Sequence, residues 1–296
     1  MKKKLSFILL SLTLCLAGCS NTGSASTPAS TPAEATASPE ASATASPEAS
    51  APANSEEPIE SEPALVLPLV ENTSGKVQIQ TVSGSSTYPY NSYIITSTNG
   101  ESIVLDPTSM PPKDVVDIKP AAIISTHSHP DHTDSYFTKS NDCPHFTSEV
   151  TSLDTTSFKI FTIASSHSGD TIDDFPSNVL TVADVDGLRI VHMGDIGQTT
   201  LTDEQLKALG HVDIAFMQFD NSYSDMSLEN EKGFKLMEQL QPTIIIPTHY
   251  TDDALPIFEQ NYGKIQEFDN VLTISKDDLP TNSLNIYRIL NNHIYQ

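Results

Sequence analysis

The sequence predicts an α+β domain in which two sheets lie in contact and helices cover their outer faces. Two observations lead to this fold class. The first part of the domain carries strand patterns with little helix between them, and the later part alternates strand and helix patterns. Chains with this order of elements bury the apolar faces of their sheets against each other and against helices. No repeat of solenoid type is visible in the sequence.

Short apolar or alternating runs predict the strands. Asn99-Gly100, between two such runs, is a hairpin turn signal. The run at 121–126 has two isoleucines and predicts a buried strand that leads directly to His127. The predicted strands cover residues 77–83, 92–98, 102–105, 121–126, 159–164, 179–183, 188–192, 213–218, 243–246, 272–275 and 284–289.

Helix signals are fewer. Thr202-Asp203-Glu204 opens a helix with capping chemistry. Residues 227–240 form a longer amphipathic pattern, which ends at Pro242 because proline cannot continue a helix. Residues 131–139 and 147–154 are predicted as short helices.

Residues 1–19 have the pattern of an export signal. Three lysines lie in residues 1–4, and residues 5–17 are almost wholly apolar or small. About 13 apolar residues cannot cross a bilayer core, which needs about 20. Leu16-Ala17-Gly18-Cys19 resembles a bacterial lipobox, which implies cleavage before Cys19 and a lipid on its sulfur. We therefore expect an extracytoplasmic protein, anchored through Cys19 to the bacterial cell membrane. An ordinary signal peptide with an incidental cysteine is the alternative.

Residues 20–63 consist mainly of Ser, Thr, Ala, Pro and Glu, with no aromatic residue. Such a segment buries too little apolar surface to offset its ordering entropy, so we predict a disordered linker with a reach on the order of 40 Å. The folded domain is then residues 64–296, large enough to form a core without disulfides. Cys143 is the only cysteine in it, and we expect a packed small residue.

The net charge of −23 excludes one class of partner. A strongly acidic chain repels phosphate backbones unless a basic patch intervenes, and no Lys/Arg cluster follows Lys4. We therefore expect a small-molecule substrate and no nucleic acid.

A dense cluster of metal-binding residue types follows the strand at 121–126. It consists of His127, His129, Asp131 and His132. Imidazole nitrogens and carboxylate oxygens suit zinc and similar divalent ions, and buried polar groups at this density need partners. His167, Asp195 and His249 each follow a further predicted strand. Together the seven side chains supply enough donors for two metal ions.

These motifs resemble the metallo-β-lactamase superfamily, and most closely its lactonase-like and phospholipase-D-like hydrolases. The resemblance implies a four-layer αββα sandwich with the site at one edge of the sheets. It implies these ligands: His127, His129 and His167 for the first ion, Asp131, His132 and His249 for the second, and Asp195 as the bridge. Antibiotic-hydrolysing members either replace one of these positions with Cys or lack the bridging Asp, which argues against a β-lactam substrate.

Asp106 resembles the superfamily's aspartate that orients a ligand histidine. A simple turn residue before Pro107 is the alternative. Tyr223 and Tyr250 are candidates to donate to a developing oxyanion, or they are wall residues of the pocket. His192 is interpreted as a strand residue that faces away from the ligands.

Two such ions would lower the pKa of a shared water. The sequence therefore predicts hydrolysis of an ester, lactone or phosphodiester by a metal-bridging hydroxide. Asp131 and Asp195 are the catalytic candidates, and Asp131 would orient the nucleophile or return a proton. Zinc is expected, with manganese or iron as alternatives.

A non-catalytic metal- or ligand-binding lipoprotein is the alternative function, although simple sequestration does not need a bridging carboxylate. A redox diiron member of the same fold would need another carboxylate in the first motif and an electron-carrier domain, and the sequence contains neither.

Overall fold

The computed structural model describes residues 69–83, 92–114, 116–281 and 284–289. The predicted signal segment, Cys19 and the predicted linker lie outside these residues, so the statements about them stay predictions. Within the described part of the chain, no helix is both long enough and apolar enough to span a bilayer.

Two sheets form the centre of the domain. Their strands are β1 Val77–Thr81, β2 Tyr93–Thr96, β3 Ser102–Leu105, β4 Ala122–Ser125, β5 His145–Thr147, β6 Ser152–Asp154, β7 Phe158–Ser165, β8 Asn178–Val185, β9 Leu188–His192, β10 Ile214–Met217, β11 Ile244–Pro247, β12 Gln266–Phe268, β13 Val271–Ile274 and β14 Asn285–Ile289. The helices are α1 Ser135–Ser140, α2 Asp203–Leu209, α3 Lys232–Leu240 and α4 Ala254–Tyr262, with 3-10 turns at Ser222–Ser224 and Lys276–Asp278.

The first sheet has the strand order β13-β1-β2-β3-β4-β5, and the second has the order β12-β14-β11-β10-β9-β8-β7-β6. In the first sheet, β3, β4 and β5 run parallel. In the second, β9, β10 and β11 run parallel, and β7 has the same direction because both β7 and β9 are antiparallel to β8. These strands therefore end at the same edge of their sheet.

The alternation of side chains along each strand builds three apolar layers. Ile124 of β4 and Phe216 of β10 lie in the core between the sheets, whereas Ile123 and Ala215 point to the outer faces. The outer face of the second sheet packs on α2, α3 and α4, and that of the first sheet packs on Phe137 of α1 and the segment before β4. The order of layers confirms the predicted αββα sandwich.

The capping prediction for α2 is confirmed. The Thr202 hydroxyl accepts the backbone N–H of Gln205 at 3.1 Å, and the Gln205 side chain accepts the N–H of Thr202 at 2.9 Å. This reciprocal pair satisfies two donors that a helix start leaves open.

The predicted helix at 147–154 is wrong. The chain instead forms β5, which pairs with β4, and β6, which pairs with β7. Pairing with a neighbouring strand outweighs a weak local helix preference. Two other helices begin later than predicted: α1 begins at Ser135 after the Asp134 N-cap, and α3 begins at Lys232. Before α3, the side chains of Ser227 and Asn230 bond to each other's backbone N–H groups and hold a turn.

The sequence patterns did not predict α4 and β12. The helix α4 has Pro256 in its first turn and no side-chain hydrogen bond at its N-cap, so the usual start signal is lacking. Strand β12 has three residues and pairs only with β14 at the sheet edge.

Candidate metal centre

The predicted ligands stand on loops that leave the same edge of the two sheets. His127, His129, Asp131 and His132 follow β4, and the last two lie in a turn before α1 rather than in its first turn. His167 follows β7, Asp195 follows β9 and His249 follows β11. The sandwich thus collects residues that are more than a hundred positions apart in the chain.

The structure brings the seven side chains into two groups, each with ligand atoms within 4.8 Å of one another. One group contains three histidines, and the other contains two histidines and two aspartates. The first group is His127, His129 and His167, and the second is Asp131, His132, Asp195 and His249.

Asp195 lies between the groups. Its Oδ2 is 3.7 Å from His127 Nε2 and 3.6 Å from His167 Nε2. Its Oδ1 is 3.4 Å from His132 Nε2 and 3.5 Å from His249 Nδ1. One carboxylate therefore faces both clusters, which is the placement that a bridging ligand requires.

Four buried ligand atoms have no hydrogen-bond partner among the described residues. They are His127 Nε2, His132 Nε2, His167 Nε2 and Asp195 Oδ1. A buried polar atom without a partner costs about 1–3 kcal/mol, and two of these atoms lie in each of the two groups. A divalent cation in each group would accept electron pairs from these atoms, and this donor set therefore fits metal ions.

Asp106 orients the ligand His132 through the ring nitrogen that faces away from the metal site. Its carboxylate is fully buried, accepts the backbone N–H and the hydroxyl of Thr126 at 2.6 and 2.8 Å, and lies 2.7 Å from His132 Nδ1. Burial alone would raise the pKa of Asp106, but the imidazoles of His192 and His132 outweigh it and lower the pKa to about 2. An ionised Asp106 accepts the Nδ1–H of His132 and directs Nε2 into the site.

Burial sets the charge of His127 in the first cluster. It lowers the pKa of His127 to about 3, with the neighbouring His132 acting in the same direction. A neutral imidazole keeps the lone pair that a metal needs. His132 differs: burial opposes its charge, but Asp106 and Asp195 outweigh burial and raise its pKa well above the usual range. The two carboxylates thus favour positive charge at the second cluster.

His192 belongs to neither metal group. Its Nδ1 accepts the backbone N–H of Gly194 at 2.9 Å, its Nε2 lies 3.5 Å from Asp106 Oδ2, and its ring stacks on Phe216. His192 therefore connects the turn that holds Asp195 to Asp106, the aspartate that orients His132. Gly194 has a φ of +56°, and a Cβ there would collide with Thr126.

Two functional neighbours were missed in the sequence. Asn221 Nδ2 donates to Asp195 Oδ2 at 2.7 Å and to Gln218 Oε1 at 2.9 Å, and Asn178 Oδ1 accepts the Asp195 N–H at 3.1 Å. A usable signal existed, because Asn221 follows a buried strand in the same way as the metal-site residues do.

The two predicted pocket tyrosines differ in environment. Tyr223 is 85% exposed and follows Asn221 by two residues. The hydroxyl of Tyr250 accepts from Arg288 Nε at 2.8 Å and its ring packs on Phe258 of α4, so its polar end is engaged with Arg288. Cys143 is half-buried against the outer apolar layer and is not in either metal group.

Fold and site together define a metal-dependent domain of the metallo-β-lactamase fold. The family model of the β-lactamase superfamily domain matches residues 86–249, which is more than half of the chain. The chain therefore belongs to this superfamily. No curated protein matches the sequence.

Several solved structures are similar to this chain. A Thermotoga maritima protein assigned to the Zn-dependent hydrolases of the metallo-β-lactamase superfamily is 16% identical, with a TM-score of 0.54 over 72% of this chain and 100% of its own. A protein from Parabacteroides distasonis assigned to the metal-dependent hydrolases is 18% identical, with a TM-score of 0.46 over 72% and 94%. Another from Veillonella parvula is 14% identical, with a TM-score of 0.48 over 67% and 100%. At 16% identity, the likeness to the Thermotoga maritima protein shows the fold alone.

Proposed function

We propose that this protein is a binuclear metal-dependent hydrolase that cleaves an ester, lactone or phosphodiester bond of a small molecule outside the cytoplasm. The observation that carries the proposal is the position of Asp195, whose two oxygens lie within 3.7 Å of histidine nitrogens of both clusters. A single-ion site would not require such a shared carboxylate. The assignment of solved structures with this fold to metal-dependent hydrolases gives further support.

Bound divalent ions would lower the pKa of water and polarise the carbonyl or phosphoryl oxygen of a substrate. Side chains of the protein would orient the nucleophile and transfer the proton. Asp131 Oδ2 lies 3.5 Å from His132 Nε2 and 3.4 Å from His249 Nε2, and its side chain keeps 19% exposure. It therefore stands at the open side of the second cluster, where a carboxylate can orient the nucleophile and return a proton to the leaving group.

Zinc is the proposed ion. The donors are imidazoles and carboxylates without a thiolate, a set that also binds manganese and iron. Within the superfamily, the order of ligand motifs supports a place among the lactonase-like and phospholipase-D-like members.

The proposed test is metal analysis of the full-length protein, followed by assays on an ester, a lactone and a phosphodiester. We expect about two ions per chain, and we expect Asp195→Ala to lose the bridge and at least one ion. Turnover should fall by more than about a hundredfold, because the metal site supplies the central step. Full metal content without turnover of any substrate would favour the alternative metal-binding lipoprotein, and the absence of bound metal would contradict both functions.

Export and anchoring are part of the proposal and need a separate test. The lipobox-like Leu16-Ala17-Gly18-Cys19 supports a lipid on Cys19. When the full chain is expressed in a bacterium, we expect it in the membrane fraction and expect the Cys19→Ser variant in the soluble extracytoplasmic fraction. A Cys19→Ser variant that stays with the membrane would refute lipidation at this residue.

A further inference from the structure

The loops that carry the metal-site residues are rich in acidic side chains. We define the mouth loops as residues 126–134, 165–177, 193–200, 218–231 and 248–253, which hold the seven metal-site residues. They contain no lysine and no arginine. Beyond Asp131 and Asp195 they carry ten acidic residues: Asp134, Asp170, Asp173, Asp174, Asp220, Asp225, Glu229, Glu231, Asp252 and Asp253.

Three cations next to the mouth loops form ion pairs with acids of these loops. Lys232 Nζ lies 2.7 Å from Asp225, and Lys235 Nζ lies 3.7 Å from Glu231. Arg288 lies 3.7 Å from Asp252 and 3.0 Å from Glu267. Two divalent ions would add four positive charges, of which Asp131 and Asp195 would neutralise two. The negative charges of the mouth loops outnumber the two positive charges that remain. The electrostatic potential at the entrance therefore stays negative.

The mouth loops and the neighbouring α1 also present exposed aromatic rings. Tyr136, Phe175 and Tyr223 are 71%, 92% and 85% exposed. Each stands close in sequence to a residue that belongs to the site or contacts it. Phe175 is two residues before Ser177, whose hydroxyl accepts the N–H of His167, and Tyr223 is two residues after Asn221.

Short chain distances keep the backbone of Phe175 and Tyr223 near contacts of the metal clusters. Two residues span at most about 7 Å, so Phe175 and Tyr223 start close to the contacts that hold His167 and Asp195. Tyr136 follows His132 by four residues, on a helix whose N-cap is Asp134. Exposed aromatic side chains beside a polar site offer surface for the apolar part of a ligand.

We propose that the site takes uncharged or cationic carboxylic esters or lactones with an apolar group, and discriminates against phosphodiesters and other anions. This proposal rests on the proposed hydrolase function and narrows it. A phosphodiester carries a negative charge at neutral pH, and the mouth loops lack the arginine or lysine that commonly binds phosphate. An apolar or ammonium group, in contrast, matches the aromatic rings and the acids.

The test compares substrates with the same leaving group but different charge. The metal-loaded, full-length protein is assayed with 4-nitrophenyl butyrate, the 4-nitrophenyl ester of 4-trimethylammoniobutyrate, the mono-4-nitrophenyl ester of succinate and bis(4-nitrophenyl) phosphate. We expect kcat/KM to be highest for the cationic and neutral esters and lowest for the phosphodiester. Raising the ionic strength from about 0.02 to about 0.3 M should reduce the preference, because the screening length falls from about 20 to about 6 Å.

The double variant Asp173→Asn/Asp174→Asn tests the acids directly. Both residues are exposed and lie outside the metal groups. One unit charge at ~10 Å in a water-like medium changes kcat/KM about twofold. We therefore expect kcat/KM to fall about fourfold for the cationic ester and to rise about fourfold for the succinate ester at low salt. The matched control is Asp154→Asn/Asp277→Asn, because these two residues lie at the opposite edge of the sandwich, near the starts of β7 and β10.

The double variant Phe175→Ser/Tyr223→Ser tests the rings, with Tyr223 assigned as a wall residue of the pocket and not as an oxyanion donor. With 4-nitrophenyl octanoate we expect an increase in KM of about tenfold at nearly constant kcat, since burying ~60 Å² of apolar surface is worth about that factor. The KM for 4-nitrophenyl acetate should change little, and Val70→Ser, an exposed apolar position before β1, is the control.

The outcomes separate this inference from the proposed function. Hydrolysis of the phosphodiester or the succinate ester as fast as the neutral ester overturns the inference and leaves the hydrolase intact. No turnover of any of these substrates or of a lactone overturns both. If the Phe175→Ser/Tyr223→Ser variant instead loses binding to phosphatidylethanolamine–phosphatidylglycerol vesicles, measured in a Cys19→Ser background, and keeps its KM values, the rings serve a membrane surface and the inference fails.

Discussion

Asp195 is held from three directions. Its N–H donates to Asn178, its Oδ2 accepts from Asn221, and its carboxylate faces the histidines of both clusters. Asn221 is itself held by Gln218, whose side-chain amide donates to the carbonyl of Ile196 at 2.9 Å. Buried neutral amides thus set the orientation of the carboxylate before any ion binds.

Asn221→Ala should weaken metal binding. Loss of a contact that orients a ligand commonly costs about 10- to 100-fold in metal affinity. We expect this loss in competition titrations with a chromogenic chelator, and Asn221→Asp should also show it, because a carboxylate cannot donate to Asp195. The control is Asn261→Ala at an exposed position of α4. Unchanged affinity in both Asn221 variants would contradict a positioning role.

Asp106→Ala should destabilise the metal-free protein. The change removes the acceptor for the Thr126 N–H, the Thr126 hydroxyl and His132 Nδ1. Each buried donor left without a partner costs about 1–3 kcal/mol, so a loss of about 3 kcal/mol or more is expected. Urea unfolding in the presence of a chelator measures it apart from metal binding. Asp277→Ala, at an exposed residue, should change the unfolding free energy little.

Local signals predicted elements well where they acted within a few residues. Asn99-Gly100 joins β2 and β3, which pair antiparallel, and Thr202 caps α2. The helix predicted at 147–154 was wrong because β5 and β6 have only three residues each, too few for a clear strand pattern. The partner of β5 is β4, which ends at Ser125, so no pattern within the segment signals that pairing. Caps and turns therefore predict helices and hairpins well, whereas short edge strands are much harder to predict from the sequence.

Thr202→Ala should cost about 1 kcal/mol of stability, the usual value of a side-chain N-cap. Thr202→Ser keeps the hydroxyl that accepts from Gln205 and should recover most of the loss. The measurement is the urea midpoint of the two variants beside the natural protein. Equal loss in both variants would mean that packing of the Thr202 methyl group matters more than the cap.

On the scale of the whole molecule, metal and fold are expected to be linked thermodynamically. Four buried ligand atoms that have no partner among the described residues are on loops that follow β4, β7 and β9. Ions that bind only the folded state would hold these loops together. The energy that the ions contribute then appears as stability of the entire domain.

Removing metal should therefore lower the Tm. Free zinc at about 100 times its dissociation constant stabilises a folded protein by about 2.7 kcal/mol. Differential scanning fluorimetry should show a lower Tm after chelation and full recovery when zinc is added. Asp195→Ala should gain much less from zinc than the natural chain. An identical zinc response in both proteins would show that the ion stabilises the fold from another site.

Sequence patterns were sufficient to predict the fold class, the seven candidate metal-site residues and the acidic character of the chain. These properties depend on short motifs, on the alternation along strands and on composition. The tertiary structure was needed to show that Asp195 lies between two clusters and that Asn221 orients it. It also showed that Tyr223 is exposed, whereas the Tyr250 hydroxyl accepts a hydrogen bond from Arg288. The reason is that these contacts join loops far apart in the chain, and their distances follow from how the two sheets pack.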